Sequence, residues 1–316
     1  MEMNGQDDVV LCECFARDGL QHEPTHLSLE SKMDLMERFA LAGFKRIEIT
    51  SYSNPKVVPQ FADASQLLQQ VKRHPGVFYK ATCANVRAVE RAVADFQAGF
   101  GVNEISLLIS ATDEHSLKNL ARTKSQQWGN VRDMVEVAAE RFRLIGTVSM
   151  AFGCSMGGEV PMRVVLDDVM KFAQLGVKHV AIADTIGVAT PQSVKALMGL
   201  LQRELPELTL IAHFHDSRGT GLVNYVAALE CGVRYFDCAM GGVGGHPLKV
   251  QYGQGHTGNV CTEDWVDLLH AMGLNTGIDR LALLEISSHC EALLSRELSS
   301  HVLKSGLNPF VNGRRT

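Results

Sequence analysis

The stretch LGVKHVAIADT, residues 175–185, ends a helix-period segment, turns on Gly176 and runs into an apolar, strand-length segment that stops at an acidic residue. Glycine accepts the left-handed conformation that closes a helix, so the predicted order is helix, glycine, strand. The same arrangement recurs at Ala42-Gly43-Phe44, Ala98-Gly99-Phe100 and Cys231-Gly232-Val233. Gly43 to Gly99 and Gly176 to Gly232 each span 56 residues, the length of two strand–helix units. Eight β-like runs can be marked along the chain, at 9–15, 44–51, 77–84, 104–110, 143–151, 179–185, 208–215 and 235–241. Between them lie apolar stripes at helical spacing, such as Leu29, Met33, Met36 and Ala40, or Leu166, Val169, Ala173 and Leu175. Thr190-Pro191 and Thr262-Glu263-Asp264 read as helix starts. The wider gap between Gly99 and Gly176 has its surplus in the polar stretch 111–133, which predicts a longer loop and a helix after the fourth strand.

Eight strands, each followed by a helix, is the count for a closed parallel barrel. The expected fold is therefore α/β, a TIM (β/α)8 barrel with a short C-terminal helical extension. The chain reads as a single domain over 1–316, with the barrel core at 9–260 and C-terminal helices and tail at 261–316, suited to packing on the barrel or on a partner subunit. An open, doubly wound sheet is the structural alternative, because periodicity cannot show closure. That fold usually opens with a glycine-rich turn after its first strand, whereas here the first strand leads into Ala16-Arg17-Asp18-Gly19-Leu20. Gly241, Gly242, Gly244 and Gly245 follow the eighth strand, where barrels often bind phosphate.

Composition narrows the function classes. The 316 residues are 46% hydrophobic, enough for a sizeable core, and no apolar run is long enough to span a membrane. The first residues, Met1-Glu2-Met3-Asn4-Gly5-Gln6-Asp7-Asp8, lack the pattern of a signal or transit peptide, so the expected location is cytoplasmic. A net charge of −5 with scattered basic residues argues against nucleic acid or an anionic membrane as partner and for a small ligand. The 8 cysteines show no C-x-x-C spacing and fall mostly in apolar segments, which reads as buried, inert thiols.

His213-Phe214-His215-Asp216 closes the seventh strand. Residues two apart on a strand point the same way, so both imidazoles face one side, and at the C-terminal end of a barrel strand that side is where catalysis sits. Asp18 lies just past the first strand, near the seventh once the barrel closes. Asp18, His213 and His215 then form a facial set of two histidines and one carboxylate, with open positions for substrate oxygens. Completion by oxygens favours Mg2+ or Mn2+, although the triad also suits Fe2+ or Zn2+. Arg17, Glu48, Asp184, Thr185 and Asn259 fall on the same rim. Glu48 reads either as a pocket residue or as the partner of an arginine or lysine deep in the barrel. Asp184 reads either as a site residue or as a cap for the turn Thr185-Ile186-Gly187.

Five ordered segments carry a resemblance: Arg17-Asp18-Gly19-Leu20-Gln21, Ile47-Glu48-Ile49-Thr50-Ser51, Asp184-Thr185-Ile186-Gly187-Val188, His213-Phe214-His215-Asp216 and Gly255-His256-Thr257-Gly258-Asn259. Together they resemble the signatures of the 3-hydroxy-3-methylglutaryl-CoA (HMG-CoA) lyases, a family within the TIM-barrel metal-dependent lyases and acyl transferases. The resemblance implies Asp18, His213, His215 and Asn259 as metal ligands. It implies Arg17 as the group stabilising a thioester enolate, Gln21 and Glu48 as pocket residues, and Asp184 as an aspartate close to the substrate that handles the hydroxyl proton. The implied reaction is retro-aldol (retro-Claisen) cleavage of a 3-hydroxy-3-carboxyalkyl acyl-CoA to acetyl-CoA and a keto acid. Coenzyme A then enters as part of the substrate, and a homodimer or other homo-oligomer is expected.

One departure bears on the substrate. The family carries a Gly-Gly-Cys-Pro loop after the eighth strand whose thiol is thought to protonate the enolate, and this chain has Gly245-His246-Pro247 there. A histidine with a near-neutral pKa can do the same acid work, so His246 is a catalytic candidate. Leu248-Lys249-Val250-Gln251-Tyr252 lengthens the loop, which adds Lys249 and His256 as substrate-binding candidates. These changes fit another 3-hydroxy-3-carboxyalkyl thioester, or a related hydroxy acid, as well as HMG-CoA. Competing readings are a condensing synthase, which typically adds a long C-terminal regulatory region, a catalytically silent metal-binding homologue, and a metallohydrolase, whose H-x-H usually lies on the first strand.

Overall fold

The structure is a computed structural model describing residues 8–244 and 258–311. Eight parallel strands close into a barrel in chain order: β1 (Val10–Glu13), β2 (Arg46–Ser51), β3 (Phe78–Cys83), β4 (Glu104–Ser110), β5 (Arg143–Ser149), β6 (His179–Asp184), β7 (Thr209–Phe214) and β8 (Tyr235–Cys238). Closure is made by β1 on β8, with Val10 opposite Tyr235 and Glu13 opposite Cys238. The doubly wound alternative is thereby excluded. Around the barrel run α1 (Leu29–Leu41), α2 (Ala64–Gln70), α3 (Val86–Gln97), α4 (Asp113–Leu120), α5 (Lys124–Ala138), α6 (Met162–Gln174), α7 (Pro191–Glu204), α8 (Gly221–Glu230) and α9 (Thr262–Ala271), followed by α10 (Arg280–Leu294) and α11 (His301–Ser305).

The glycine punctuation seen in the sequence has its expected cause: Gly43, Gly99, Gly176 and Gly232 have φ of 106°, 88°, 81° and 92°. Helix starts are equally local. Thr190 caps α7 through the Ser193 amide with Pro191 at the first turn, and Asn85 caps α3 through the Ala88 amide. Thr262 is the first residue of α9. The α6 stripe buries Leu166 and Val169, whereas the inward face of α1 is Leu35, Met36 and Phe39, with Leu29, Met33 and Ala40 on its margin.

Two expectations need correction. The polar stretch after β4 is not a loop and one helix but two helices, α4 and α5, separated at Ala121, whose φ of 53° breaks the helical path. The first strand ends at Glu13 rather than residue 15. The Glu13 carboxylate accepts the Phe15 amide at 2.9 Å and the chain turns into a π-helical turn, Phe15–Gly19. That turn presents Arg17 and Asp18 to the barrel mouth.

The interior is divided by height. At the N-terminal end Arg46 bonds Glu104 at 3.1 Å, Arg143 pairs with the same carboxylate, and Ile145, Ala181 and Ile211 form a small apolar plug with Tyr235. Outside the barrel one continuous hydrophobic core runs from Val9 to Leu298. Seven cysteines are buried and Cys231 is half-buried, as expected for inert thiols. No helix among the described residues is long and apolar enough to cross a membrane.

Candidate active site

The Phe15–Gly19 turn and the end of β7 bring three candidate ligand groups together. The ligand atoms of Asp18, His213 and His215 all lie within 4.8 Å of one another, and Asp18 Oδ2 is 4.0 Å from His213 Nε2 and 3.8 Å from His215 Nε2. His215 lies just past the strand, where it forms an antiparallel bridge with Asn259. Asn259 donates from Nδ2 to Asp18 Oδ2 at 2.8 Å, and its buried Oδ1 has no hydrogen-bond partner among the described residues. An unpaired buried carbonyl oxygen beside two imidazoles and a carboxylate fits a divalent cation, since each is a donor suited to it. Burial acts to raise the Asp18 pKa, but Arg17, then His213 and His215, then the Asn259 amide outweigh it and hold the carboxyl well below the usual range.

Beneath this set lies a buried ionic layer that the motif-based reading missed. Asp237, on β8, stands 3.4 Å from His213 Nδ1, accepts from Lys80 Nζ at 2.9 Å and lies 3.4 Å from Arg46 Nη1. Burial would raise the Asp237 carboxyl; Lys80 above all, then the His213 hydrogen bond and Arg46, lower it far below its ordinary value. For His213 burial acts downward, yet the hydrogen bond to Asp237 and the charge of Asp18 leave its pKa raised. A carboxylate on the far nitrogen of a ligating histidine fixes ring orientation and tautomer. The available signal was a charge in each of two apolar strands, Lys80 in FYKATC and Asp237 in YFDC. Cys12, Cys14 and Asp237 also converge within 4.8 Å, but Lys80 and Arg46 already neutralise Asp237, leaving no favourable place there for another cation.

The remaining candidates divide. Arg17 donates from Nη1 to Asp18 at 2.7 Å, and its Nε lies 3.7 Å from Glu48. Glu48 combines both readings: it lines the cavity, accepts from Thr82 at 2.6 Å and sits 3.5 Å from Lys80. Gln21 lines the mouth beside His22, its Nε2 2.9 Å from the imidazole Nε2. Asp184 stands in the cap position that its sequence reading had left open. Its two oxygens accept the Val188 and Ala189 amides, each at 2.9 Å, so it caps the turn after β6, while Ala183 and Thr185 line the cavity. Burial raises its carboxyl to about 6 in spite of those amides. His246, Lys249 and His256 lie outside the described residues.

Gly241 and Gly242, after β8, have their amides bonded within the protein rather than free for a phosphate, and Gly245 lies outside the described residues. The Gly241 amide points at the Glu263 carboxylate at 2.9 Å and the Gly242 amide at the Ala239 carbonyl. Glu13 accepts the Met240 amide at 3.0 Å and the Thr262 hydroxyl at 2.6 Å. Two buried acids thus clamp the start of the loop. A Cβ at Gly244 would stand 2.3 Å from Asn259 Nδ2, so only glycine lets the loop pass against the ligand set.

Arg17, Asp18, Gln21, Glu48, Lys80, His213, His215 and Asp237 line a cavity of about 550 Å3 at the C-terminal end of the barrel. Residues 8–290 match the HMGL-like family model. A hydroxymethylglutaryl-CoA lyase of Bacillus subtilis is 33% identical over 94% of this chain and 96% of its own. A Pseudomonas aeruginosa protein named 3-hydroxy-3-isohexenylglutaryl-CoA/hydroxy-methylglutaryl-CoA lyase is 32% identical over 96% and 98%. The solved structure of an HMG-CoA lyase from Acinetobacter baumannii, in complex with coenzyme A and 3-methylmalate, superimposes with a TM-score of 0.89 at 36% identity, covering 95% of this chain and 96% of that one.

Proposed function

The chain belongs to the HMG-CoA lyase family of carbon–carbon lyases, and from that premise we propose that it cleaves a 3-hydroxy-3-carboxyalkyl thioester of coenzyme A, HMG-CoA or an analogue, to acetyl-CoA and a keto acid. The observation that carries this is the convergence of Asp18, His213 and His215 at the cavity mouth, with Arg17 directly beside them. Asp18, His213, His215 and Asn259 would hold the divalent metal, Mg2+ or Mn2+ by donor chemistry. When bound, it supplies a Lewis acid for the substrate hydroxyl and carboxylate.

The chain's own groups account for the rest. Breaking the C2–C3 bond requires loss of the C3 hydroxyl proton and pushes the bonding pair onto the thioester carbonyl. Arg17, a fixed cation at the cavity wall, stabilises the enolate oxygen as charge develops there. The hydroxyl proton is assigned to Glu48: of the three carboxylates that line the cavity, Asp18 would hold the metal and Asp237 is hydrogen-bonded to Lys80 and Arg46, while Asp184, outside the lining, is turned onto backbone amides. Gln21, and Lys249 and His256 in the loop, are assigned to substrate binding. His246 is assigned the proton delivered to C2 of the enolate; the close pass of Gly244 against Asn259 supports starting that loop beside the reacting carbon.

Incubating the purified protein with Mn2+ or Mg2+ and a panel of 3-hydroxy-3-carboxymethyl acyl-CoAs tests the reading by release of acetyl-CoA. Metal-dependent release is expected. No release from any thioester, with no effect of metal on thermal stability, overturns it. The cytoplasmic location and a homo-oligomeric state belong to the same proposal, the second read by light scattering on the eluted protein.

A further inference from the structure

The cavity is divided by its hydrogen-bonding chemistry. The carboxylates that line it, Asp18, Glu48 and Asp237, come from the turn after β1, from β2 and from β8, and each already accepts from the protein: Asp18 from Arg17 and Asn259, Glu48 from Thr82, Asp237 from Lys80. The strands β4 to β6 add no charged side chain to the lining, only Ser106, Leu108, Thr147, Ser149 and two alanines, with Thr185 just beyond β6. The register sets Thr147 beside Leu108 and Ala181, and Ala183 beside His213, so this wall begins next to the candidate metal ligands. Its hydroxyls hold more protons than the wall accepts. Ser106 and Thr147 lie 2.8 Å apart, and whichever donates, the other keeps its own proton. Thr185 Oγ1 accepts the Met150 amide at 2.8 Å, which uses a lone pair and leaves its proton. Ser149, half-buried, makes no side-chain hydrogen bond among the described residues. Three O–H donors on this wall are thus left without a protein acceptor among the described residues. On the same side Lys118 of α4 and Arg122 just after it also line the cavity.

We infer that the β4–β6 wall binds a second carboxylate of the substrate, carried on C3. The inference rests on the lyase reading for the identity of the reacting carbon: with the C3 hydroxyl and one carboxylate turned toward Asp18, His213 and His215, and the thioester toward Arg17, the remaining substituent on C3 faces Ala183 and the hydroxyls beside it. An alkyl group there displaces water from three donors and gives them nothing in return. A hydroxyalkyl group brings a further donor of its own. A carboxylate is acceptor-only, has lone pairs for all three, and forms charge-assisted bonds stronger than neutral ones. The wall has no acid of its own to repel it, and Lys118 and Arg122 add positive charge on that side. The substrate class is then 3-hydroxy-3-(carboxyalkyl)glutaryl thioesters of coenzyme A. The bonds broken and formed are those of the proposed cleavage; acetyl-CoA is released as before, and the other product becomes a keto dicarboxylic acid.

The test uses CoA thioesters of 3-substituted glutarates lacking the C3 hydroxyl, which bind but cannot be cleaved, with methyl, isobutyl, 2-hydroxyethyl or carboxymethyl at C3, and the matching 3-hydroxy substrates, all with Mn2+ present. Isobutyl has the shape of carboxymethyl without its charge. For the native protein the carboxymethyl Kd should lie about tenfold or more below the isobutyl Kd, the usual worth of hydrogen bonds to a charged group, and kcat/KM should follow the same order. Ser149→Ala, which breaks no hydrogen bond among the described residues, and the double variant Thr147→Val with Ser149→Ala should each reduce that preference, the double variant by about tenfold, with the methyl Kd unchanged. Isobutyl binding as tightly as carboxymethyl in the native protein overturns the inference without needing either variant. So does a hydroxyethyl Kd below the carboxymethyl one, or an unchanged preference in both variants when their thermal stability is native, since the metal site or the Lys118 and Arg122 charges alone then hold the carboxylate. Cleavage of HMG-CoA without a carboxylate preference removes the second carboxylate site and leaves the lyase; a carboxylate preference in binding, lost in the variants, without cleavage of any 3-hydroxy thioester removes the lyase and leaves the site.

Discussion

Asp18 is held ionised by the cations around it, and Arg17 is the nearest of them, so the pair separates two functions on adjacent residues. Replacing Arg17 by Gln is expected to lower kcat by about 10²–10³-fold, the usual loss when one donor to a developing oxyanion is removed, while Mn2+ affinity by calorimetry changes little. Asp237→Asn should do the reverse, weakening Mn2+ by ~10–100-fold because His213 loses the carboxylate that orients it. Glu13 gives a pH signature. Burial raises its carboxyl to about 8. Between the ordinary value of 4.5 and about 8 the folded protein holds a proton that the unfolded chain releases, so stability falls as pH rises through that window. Denaturant unfolding of the native protein from pH 5 to 9 should show this decline, up to about 1.4 kcal/mol per pH unit, and Glu13→Gln should flatten it. Of these groups Arg17, Asp18, His213, His215 and Asn259 were legible as sequence neighbours of recognisable motifs. Asp237, Lys80 and Glu13 were not, because a single charge in an apolar strand does not say which distant charge it meets.

Strand and helix order followed directly from periodicity and glycine punctuation, since both are local. Gly43 shows how tightly the units are joined: at its φ of 106° a Cβ would stand 2.2 Å from the Gly277 carbonyl oxygen, where the segment before α10 crosses the α1–β2 junction. Gly43→Ala should therefore cost about 2 kcal/mol, read as a lower midpoint in urea with an unchanged slope. The end of β1 and the split of the polar stretch into α4 and α5 escaped periodicity for a common reason. One is set by the Glu13 carboxylate capturing the Phe15 amide and the other by a single left-handed residue, Ala121, and neither leaves a trace in the hydrophobic pattern. Asp184 stayed open at this level: a carboxylate at the end of a barrel strand reads the same whether it faces the cavity or the next turn.

The molecule as a whole should behave as a metal-stabilised barrel, because the four proposed ligands come from the turn after β1, the end of β7 and the segment leading into α9. Excess Mn2+ at about 100 times its Kd should add ~2.7 kcal/mol to stability, seen as a rise in Tm that a chelator reverses and Asp18→Asn abolishes. An unchanged Tm across a metal titration would count against the ligand set. Length, glycine spacing and the H-x-H pair were sufficient to specify eight strand–helix units and the end of β7 that bears the site, since strand alternation and helix termination depend on neighbours in sequence. Closure of β1 on β8 decided the rest. It alone sets Asp18 against His213 across nearly two hundred residues, slides Asp237 under the imidazole and leaves β4–β6 lined with small side chains opposite the ionic half, because contact across a barrel depends on register and shear, to which the local pattern of the chain is blind.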